Sequence, residues 1–113
     1  MRIRDVSQEY ETKLEPPPTG LSSAARGKAE WKVYADGSRQ CKLSVSNLNL
    51  PDGATLELLV DNRSIAQLTV QHGIARYRME TECGESVPVV ELGQVLRVVY
   101  IGQTILEGQF YAE

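Results

Sequence analysis

Apolar and polar residues alternate with period two in short segments from Lys28 onward, and turn residues separate these segments at intervals of about ten residues. Side chains at alternate positions of a β-strand point to opposite faces of the sheet, so one face is apolar and the other is polar. The apolar positions of the first two segments are Ala29, Trp31, Val33, Cys41, Leu43 and Val45. This pattern predicts an all-β fold made of antiparallel strands.

Turn residues between the segments predict how the strands connect. Asp36-Gly37 is a tight-turn dipeptide and predicts a hairpin between the first two strands. The segment 47–53 ends in Pro51-Asp52-Gly53, which predicts a crossover between sheets. Asp61-Asn62 and His72-Gly73 join the next three strands and predict a meander. Ile101-Gly102 turns the last hairpin, whose sequence resembles the hairpin at Asp61-Asn62 and predicts the same local geometry.

About seven strands between residues 28 and 113 match the size of an immunoglobulin-like β-sandwich. We therefore expect a single antiparallel β-sandwich of about seven strands with an extended, Pro-containing N-terminal tail. The predicted domains are a tail with a polyproline spacer, 1–27, and a β-sandwich, 28–113. Trp31 precedes both cysteines, so the Cys…Trp…Cys order of antibody domains is absent.

The predicted tail contains Pro16-Pro17-Pro18, which favours an extended polyproline II segment and a stiff spacer. Ahead of it, Ile3, Val6, Tyr10 and Leu14 recur at the spacing of one helix face, whereas Tyr10, Thr12 and Leu14 alternate as in a strand. Helix, strand and disordered tail all stay open at this point. We expect the four apolar residues to make the contacts of the tail.

Branched apolar residues fall on the predicted polar face of the later strands. They are Leu59, Ile65, Ile74, Val99, Ile101 and Ile105. Soluble proteins keep exposed apolar patches small, so something is expected to cover this outward apolar face. Three explanations stay open: a register shifted by one residue, the tail folding back on its own body, or the tail of a neighbouring copy docking there.

Charge and hydropathy exclude several partners. The chain has 12 Lys and Arg against 15 Asp and Glu, and its basic residues cluster only in the pairs Arg2/Arg4 and Arg76/Arg78. This predicts no binding to nucleic acid, which needs clustered cations. No apolar run is long enough to cross a membrane, so no membrane insertion is expected. The N-terminus lacks a signal peptide, which predicts a cytoplasmic location, or an extracellular one if a leader was removed.

The sequence offers little for catalysis or cofactor binding. His72 is the one histidine and falls in a predicted turn, and no Gly-rich phosphate loop is present, so we expect no enzyme and no cofactor. Cys41 and Cys83 are expected as buried thiols ahead of a disulfide. Candidate calcium ligands are Glu80, Glu82, Glu85 and Glu91, although the spacing of dedicated calcium loops is missing. Tyr34 and Tyr111 are the candidate aromatic platform for a glycan.

The segments 49–56, 87–93 and 106–110, with Leu50-Pro51-Asp52-Gly53 and Leu106-Glu107-Gly108, resemble a group of small bacterial all-β modules of unassigned function. The resemblance covers residues 28–110, implies the sandwich fold and carries no functional residue. We expect a non-catalytic protein–protein interaction or structural module that self-associates into an oligomer or filament, its tail docking on a neighbouring sandwich. The alternative is a ligand-binding module, for a glycan or a calcium-dependent partner, with a passive linker tail.

Overall fold

The computed structural model describes residues 6–17, 24–81, 87 and 89–112. These residues form nine β-strands and contain no α-helix. The strands are β1 (Val6–Leu14), β2 (Arg26–Tyr34), β3 (Arg39–Ser46), β4 (Thr55–Val60), β5 (Arg63–Thr69), β6 (Ala75–Glu80), β7 (Val95–Tyr100), β8 (Gln103–Gln109) and β9 (Tyr111–Ala112).

The strands form two antiparallel sheets. One has five strands in the order β6-β3-β2-β1-β9, and the other has four in the order β5-β4-β7-β8. The prediction of an all-β fold with two antiparallel sheets is confirmed. Strands β2 to β8 correspond to the seven predicted strands, and β1 and β9 are additional. Strand β2 begins at Arg26, two residues before the predicted start of the sandwich.

The core lies between the sheets and is built mainly from the predicted apolar positions, although Val33 is only half-buried and lies outside it. Trp31 is completely buried, and its ring meets that of Phe110 edge to face at a centroid distance of 5.1 Å. Leu56 and Leu58 from β4 and Leu96 and Val98 from β7 are also completely buried. Burial of this apolar surface is the dominant favourable term in folding, so these residues hold the two sheets together.

Segment 47–53 crosses from one sheet to the other, as predicted, because β3 and β4 belong to different sheets. The predicted meander is wrong, since β6 pairs with β3 and not with β5. Val70 is completely buried between β5 and the next turn, and the Leu48 amide donates a hydrogen bond to the Gly73 carbonyl. This bond ties the His72-Gly73 turn, which precedes β6, to the β3–β4 connection.

The two similar hairpins have the same geometry, as the sequence predicts. Asp61 and Asn62 have φ values of 48° and 66°, and Ile101 and Gly102 have values of 47° and 74°. Positive φ at both central residues is the signature of the type I′ turn. Each turn is followed by a register shift at the same position, so that Ile65 and Ile105 are the extra residues of two equivalent β-bulges.

Candidate interaction site

Strand β1 lies inside the five-stranded sheet, between β2 and β9. Tyr10 is opposite Trp31 on β2 and opposite Ala112 on β9, and Leu14 is opposite Gly27. The extended tail that the sequence predicts is therefore not confirmed for residues 6–14, which form a strand of the sandwich itself. The helical alternative does not apply to these residues. The alternation of Tyr10, Thr12 and Leu14 correctly indicates a strand here.

Two glycines let the end of β1 approach its neighbours closely. A Cβ atom on Gly27 would lie 2.6 Å from Val45 Cγ1 and 3.1 Å from Leu14 Cδ1. A Cβ atom on Gly108 would overlap the Lys13 carbonyl oxygen and lie 2.7 Å from Thr12 Cγ2. Real Cβ atoms do not approach so closely, so any other residue at either position would displace β1 or its neighbours. Sequence reasoning missed both glycines.

The residue after β1 reaches the second sheet. The Glu15 amide donates to the Glu107 carbonyl at 3.0 Å, and the Glu107 amide donates to the Glu15 carbonyl at 2.8 Å. Residue 107 belongs to β8 of the four-stranded sheet. The segment 6–15 therefore contacts both sheets and closes this side of the sandwich. We call the surface that receives it, formed by β2, β9 and the Glu107–Gly108 part of β8, the β1 slot.

The predicted tail residues occupy different parts of the β1 slot. Leu14 is 1% exposed, Tyr10 is half-buried against the core, and Val6 is 46% exposed at the outer end of the strand. Ile3 lies outside the described residues. Thr12 is completely buried, and its hydroxyl oxygen has no hydrogen-bond partner among the described residues. The strand thus has a firmly buried end at Leu14 and an exposed end at Val6.

The outer face of β1 is bound to β2 by ion pairs. Lys28 Nζ lies 3.1 Å from Glu11 Oε1 and 3.3 Å from Glu30 Oε1, and Lys32 Nζ lies 3.8 Å from Glu9 Oε1. The hydrogen bond that the Lys28 ammonium donates to Glu11, followed by the one it donates to Glu30, raises the pKa of Lys28 above its ordinary value. Opposite charges on adjacent strands stabilise the pairing of β1 with β2.

The six residues of the predicted outward apolar face do not form one surface. Leu59 and Val99 are half-buried on the outer face of the four-stranded sheet, where Arg97 lies opposite Leu59 and Glu57 lies opposite Val99. The two bulge residues pack against the core instead of facing outward, because each bulge shifts the register by one residue. They are Ile65 and Ile105. A register shifted by one residue is one of the three explanations given above for the predicted outward apolar face, and it applies to these two residues.

The two remaining residues of that face lie in or beside turns. Ile74 is 37% exposed directly after the His72-Gly73 turn, and Ile101 is 84% exposed at the tip of the last hairpin. Neither is covered by any described segment. Their part in binding stays a prediction.

The candidate residues for the alternative functions are dispersed. Tyr34 is buried and its hydroxyl donates to Gln40 Oε1, so it does not form an outward platform with Tyr111, which is 40% exposed. The His72 imidazole is exposed 4.0 Å from Asp52, in a turn. Among the described residues, no group of three or more His, Cys, Asp or Glu side chains is placed to hold a metal.

Some of the candidate calcium ligands and one of the two cysteines lie outside the described ranges. Glu82, Glu85 and Cys83 lie outside them, and Cys41 is buried in β3. Within the described ranges, no helix is long and apolar enough to cross a membrane.

Comparison with known proteins gives no family: no family model and no curated protein matches this chain.

Proposed function

We propose that this chain is a non-catalytic protein–protein interaction module that self-associates by exchanging β1 between copies. The observation that supports it is the placement of β1, a strand near one end of the chain whose partners β2, β9 and β8 all lie in the rest of the sandwich. The docking tail expected from the sequence thus acquires a defined receptor, the β1 slot.

An empty slot would be unfavourable. Without β1, the backbone groups of β2 that pair with it would lose their partners, and the core around Leu14 and Tyr10 would meet water. An unpaired edge strand readily binds another strand of matching pattern. The best match available is β1 of a second copy, which makes the same contacts in the slot as the first copy's own β1.

The connection from β1 to β2 permits exchange. Eleven residues, 15–25, join the two strands, whereas adjacent antiparallel strands are commonly joined by about two to five residues. The connection begins with Glu15-Pro16-Pro17-Pro18, and a polyproline segment extends at about 3.1 Å per residue. Such a segment is stiff and does not form a tight turn by itself, and the length of the connection leaves room for β1 to reach the slot of a neighbouring copy.

Two kinds of assembly follow from exchange. Reciprocal exchange between two copies gives a closed dimer with twofold symmetry, and sequential exchange, in which each copy donates to the next, gives a ring or a filament. The contacts within each β1 slot are the same in the dimer, the ring and the filament. Which of these assemblies forms therefore depends on the direction in which residues 15–25 carry β1.

Crosslinking across the slot tests this proposal. Glu9 and Lys32 lie directly opposite each other on β1 and β2, and both side chains are about one-third exposed. We would make Glu9→Cys/Lys32→Cys in a Cys41→Ala/Cys83→Ser background and oxidise it after assembly. Exchange predicts covalent species of twice the 12.5 kDa chain mass or more under denaturing, non-reducing conditions. Linkage only within single chains would contradict the proposal.

Two controls make the result specific. The single variant Glu9→Cys in the same background detects crosslinks that form by chance collision, and it should stay at the mass of one chain. Replacing residues 15–26 by Asn-Gly joins Leu14 and Gly27, which lie opposite each other, through a two-residue turn. We expect this variant to be monomeric by light scattering. An unchanged oligomer would show that copies associate through another surface.

The immunoglobulin-like assignment, the bacterial-module resemblance and the compartment stay predictions. No contact of the described residues favours the glycan or calcium alternative.

A further inference from the structure

We propose that the outer face of β2, β3 and β6 is a second binding site, which takes an acidic, extended segment of another protein. The proposal does not depend on exchange of β1, because all of its residues lie on strands that stay in one body.

The site is a shallow depression of about 530 Å³ on the five-stranded sheet. Its polar lining residues are Lys28, Glu30, Lys42, Ser44, Arg76 and Arg78. Strand pairing brings the Arg76/Arg78 pair beside cations that are distant in the sequence: Arg78 is opposite Lys42, and Arg76 is opposite Ser44. Lys28 is opposite Ser44 on the other side. The small Ser44 side chain thus lies between two cations and forms the floor.

Neighbouring carboxylates compensate only part of this positive charge. Lys28 pairs with Glu11 and Glu30, and Arg78 Nη2 lies close to Glu80 Oε1, at 2.6 Å. Neither Lys42 nor Arg76 makes an ion pair with a residue of the described ranges, and both are exposed. Their charges are available to a ligand at the β3 and β6 side of the depression.

Lys42 lies opposite Arg78 on β6 and opposite Glu30 on β2, so its charge is balanced on only one side. Like charges directly opposite each other on adjacent strands destabilise a sheet. The chain as a whole has a net charge of −3, so this concentration of cations does not reflect a generally basic protein. Local positive charge that is only partly balanced is expected where an anionic partner binds.

The geometry favours a polypeptide among anionic partners. Arg76 and Arg78 are two positions apart on one strand, and alternate residues of an extended peptide repeat at about 6.6–6.8 Å, so carboxylates at alternate positions can reach both. The lining also includes Leu43, which is buried, and Tyr77, which is half-buried against the core, so it offers neither a fully exposed ring for stacking of bases nor an exposed apolar side chain that could enter a bilayer.

Fluorescence anisotropy with a labelled peptide carrying glutamate at alternate positions tests the site. We expect saturable binding that weakens with added salt, and Lys42→Glu/Arg76→Glu should weaken it by at least about tenfold. This variant puts a carboxylate opposite Arg78 and also opposite Glu30, so its thermal unfolding is measured beside binding to show that the protein is still folded. The matched control is Arg63→Glu, which reverses an exposed cation on β5 in the other sheet and should leave binding unchanged.

Three outcomes would overturn the proposal. They are no saturable binding of the peptide, equal loss of binding in the Arg63→Glu control, and tighter binding of a thymidine oligonucleotide or of phosphatidylserine vesicles than of the peptide. Because the crosslinking test of β1 exchange reads the mass of the protein alone, failure of either proposal leaves the other testable.

Discussion

Gly108 lies so close to the backbone of Lys13 that a Cβ atom at position 108 would overlap the Lys13 carbonyl oxygen. Residue 108 belongs to β8 and residue 13 to β1, so this approach joins the two sheets beside the Glu15–Glu107 hydrogen bonds. The fit is tight because backbone lies against backbone, which cannot move aside as a flexible side chain can.

Gly108→Ala should therefore destabilise the protein. Overpacking typically costs about 1–3 kcal/mol, and here the strain falls on the end of β1. Thermal denaturation followed by circular dichroism gives the change in unfolding temperature. Hydrogen exchange should show that the amide of Glu15 loses protection before those of β4 and β7. An unchanged unfolding temperature would mean that β1 is not held closely at this point.

Leu14→Ala and Val6→Ala form a matched pair on β1. Leu14 is 1% exposed, and loss of a buried leucine side chain costs about 2–5 kcal/mol, whereas Val6 is 46% exposed and its truncation should cost about 0.5 kcal/mol or less. Urea unfolding of both variants measures the difference. Equal losses in the free energy of unfolding would contradict this prediction, because they would show that the two ends of β1 contribute equally to stability.

Thr12→Val should stabilise the protein or leave its stability unchanged. The Thr12 hydroxyl is buried without a partner among the described residues, and an unsatisfied buried polar group costs about 1–3 kcal/mol. Valine has nearly the same shape and removes this cost. Thr12→Ser, which keeps the hydroxyl and loses the methyl group, should destabilise. A lower unfolding free energy in Thr12→Val would reveal a hydrogen bond of the hydroxyl.

Ile101→Asn should raise the unfolding temperature. Ile101 has a φ of 47°, a conformation that costs a non-glycine residue about 1–2 kcal/mol, and its side chain is 84% exposed. Asparagine tolerates this conformation, and Asn-Gly is the preferred type I′ pair. The control is Ile74→Asn, because Ile74 directly follows the His72-Gly73 turn but does not itself have a positive φ, so this substitution should give no gain.

Alkaline pH should weaken the protein through Lys28. Its folded-state pKa lies above the ordinary 10.5 because of Glu11 and then Glu30. The ion pairs therefore contribute their full stability below that ordinary value, and the contribution is lost as pH rises through the folded-state pKa. Glu11→Gln should reduce this alkaline loss relative to the parent chain in urea unfolding at several pH values. Glu57→Gln, on the other sheet, should leave the pH dependence unchanged.

Alternation predicted β2 to β8 because each of these strands buries one face and exposes the other. Strand β1 carried two competing periods, since Val6, Tyr10 and Leu14 also suit a helix face, and only pairing with β2 decides between them. The sequence indicates no role for Gly27 or Gly108, and both lie within strands at close approaches. A glycine in the sequence does not by itself show which neighbouring backbone or side chain packs against it.

The sequence could not place Ile65, Ile105 or Tyr34 correctly. Bulges turn the first two toward the core, and a bulge depends on how the turn residues Asp61-Asn62 and Ile101-Gly102 set the register of the returning strand. The depression lined by Lys42, Arg76 and Arg78 could not be predicted from the sequence for a different reason. Lys42 is far from Arg76 and Arg78 along the chain, and only the pairing of β3 with β6 makes them neighbours.

The pairing of Tyr10 with Ala112 also constrains the order of folding. These residues lie near the two ends of the described chain, so this contact closes a loop that contains almost the whole sandwich. Loop-closure entropy makes such contacts slow to form, and β-rich proteins with many distant contacts fold slowly. While β1 is undocked, the edge of β2 is exposed. Until β1 pairs with β2 and β9, a strand from another molecule can compete for the β1 slot.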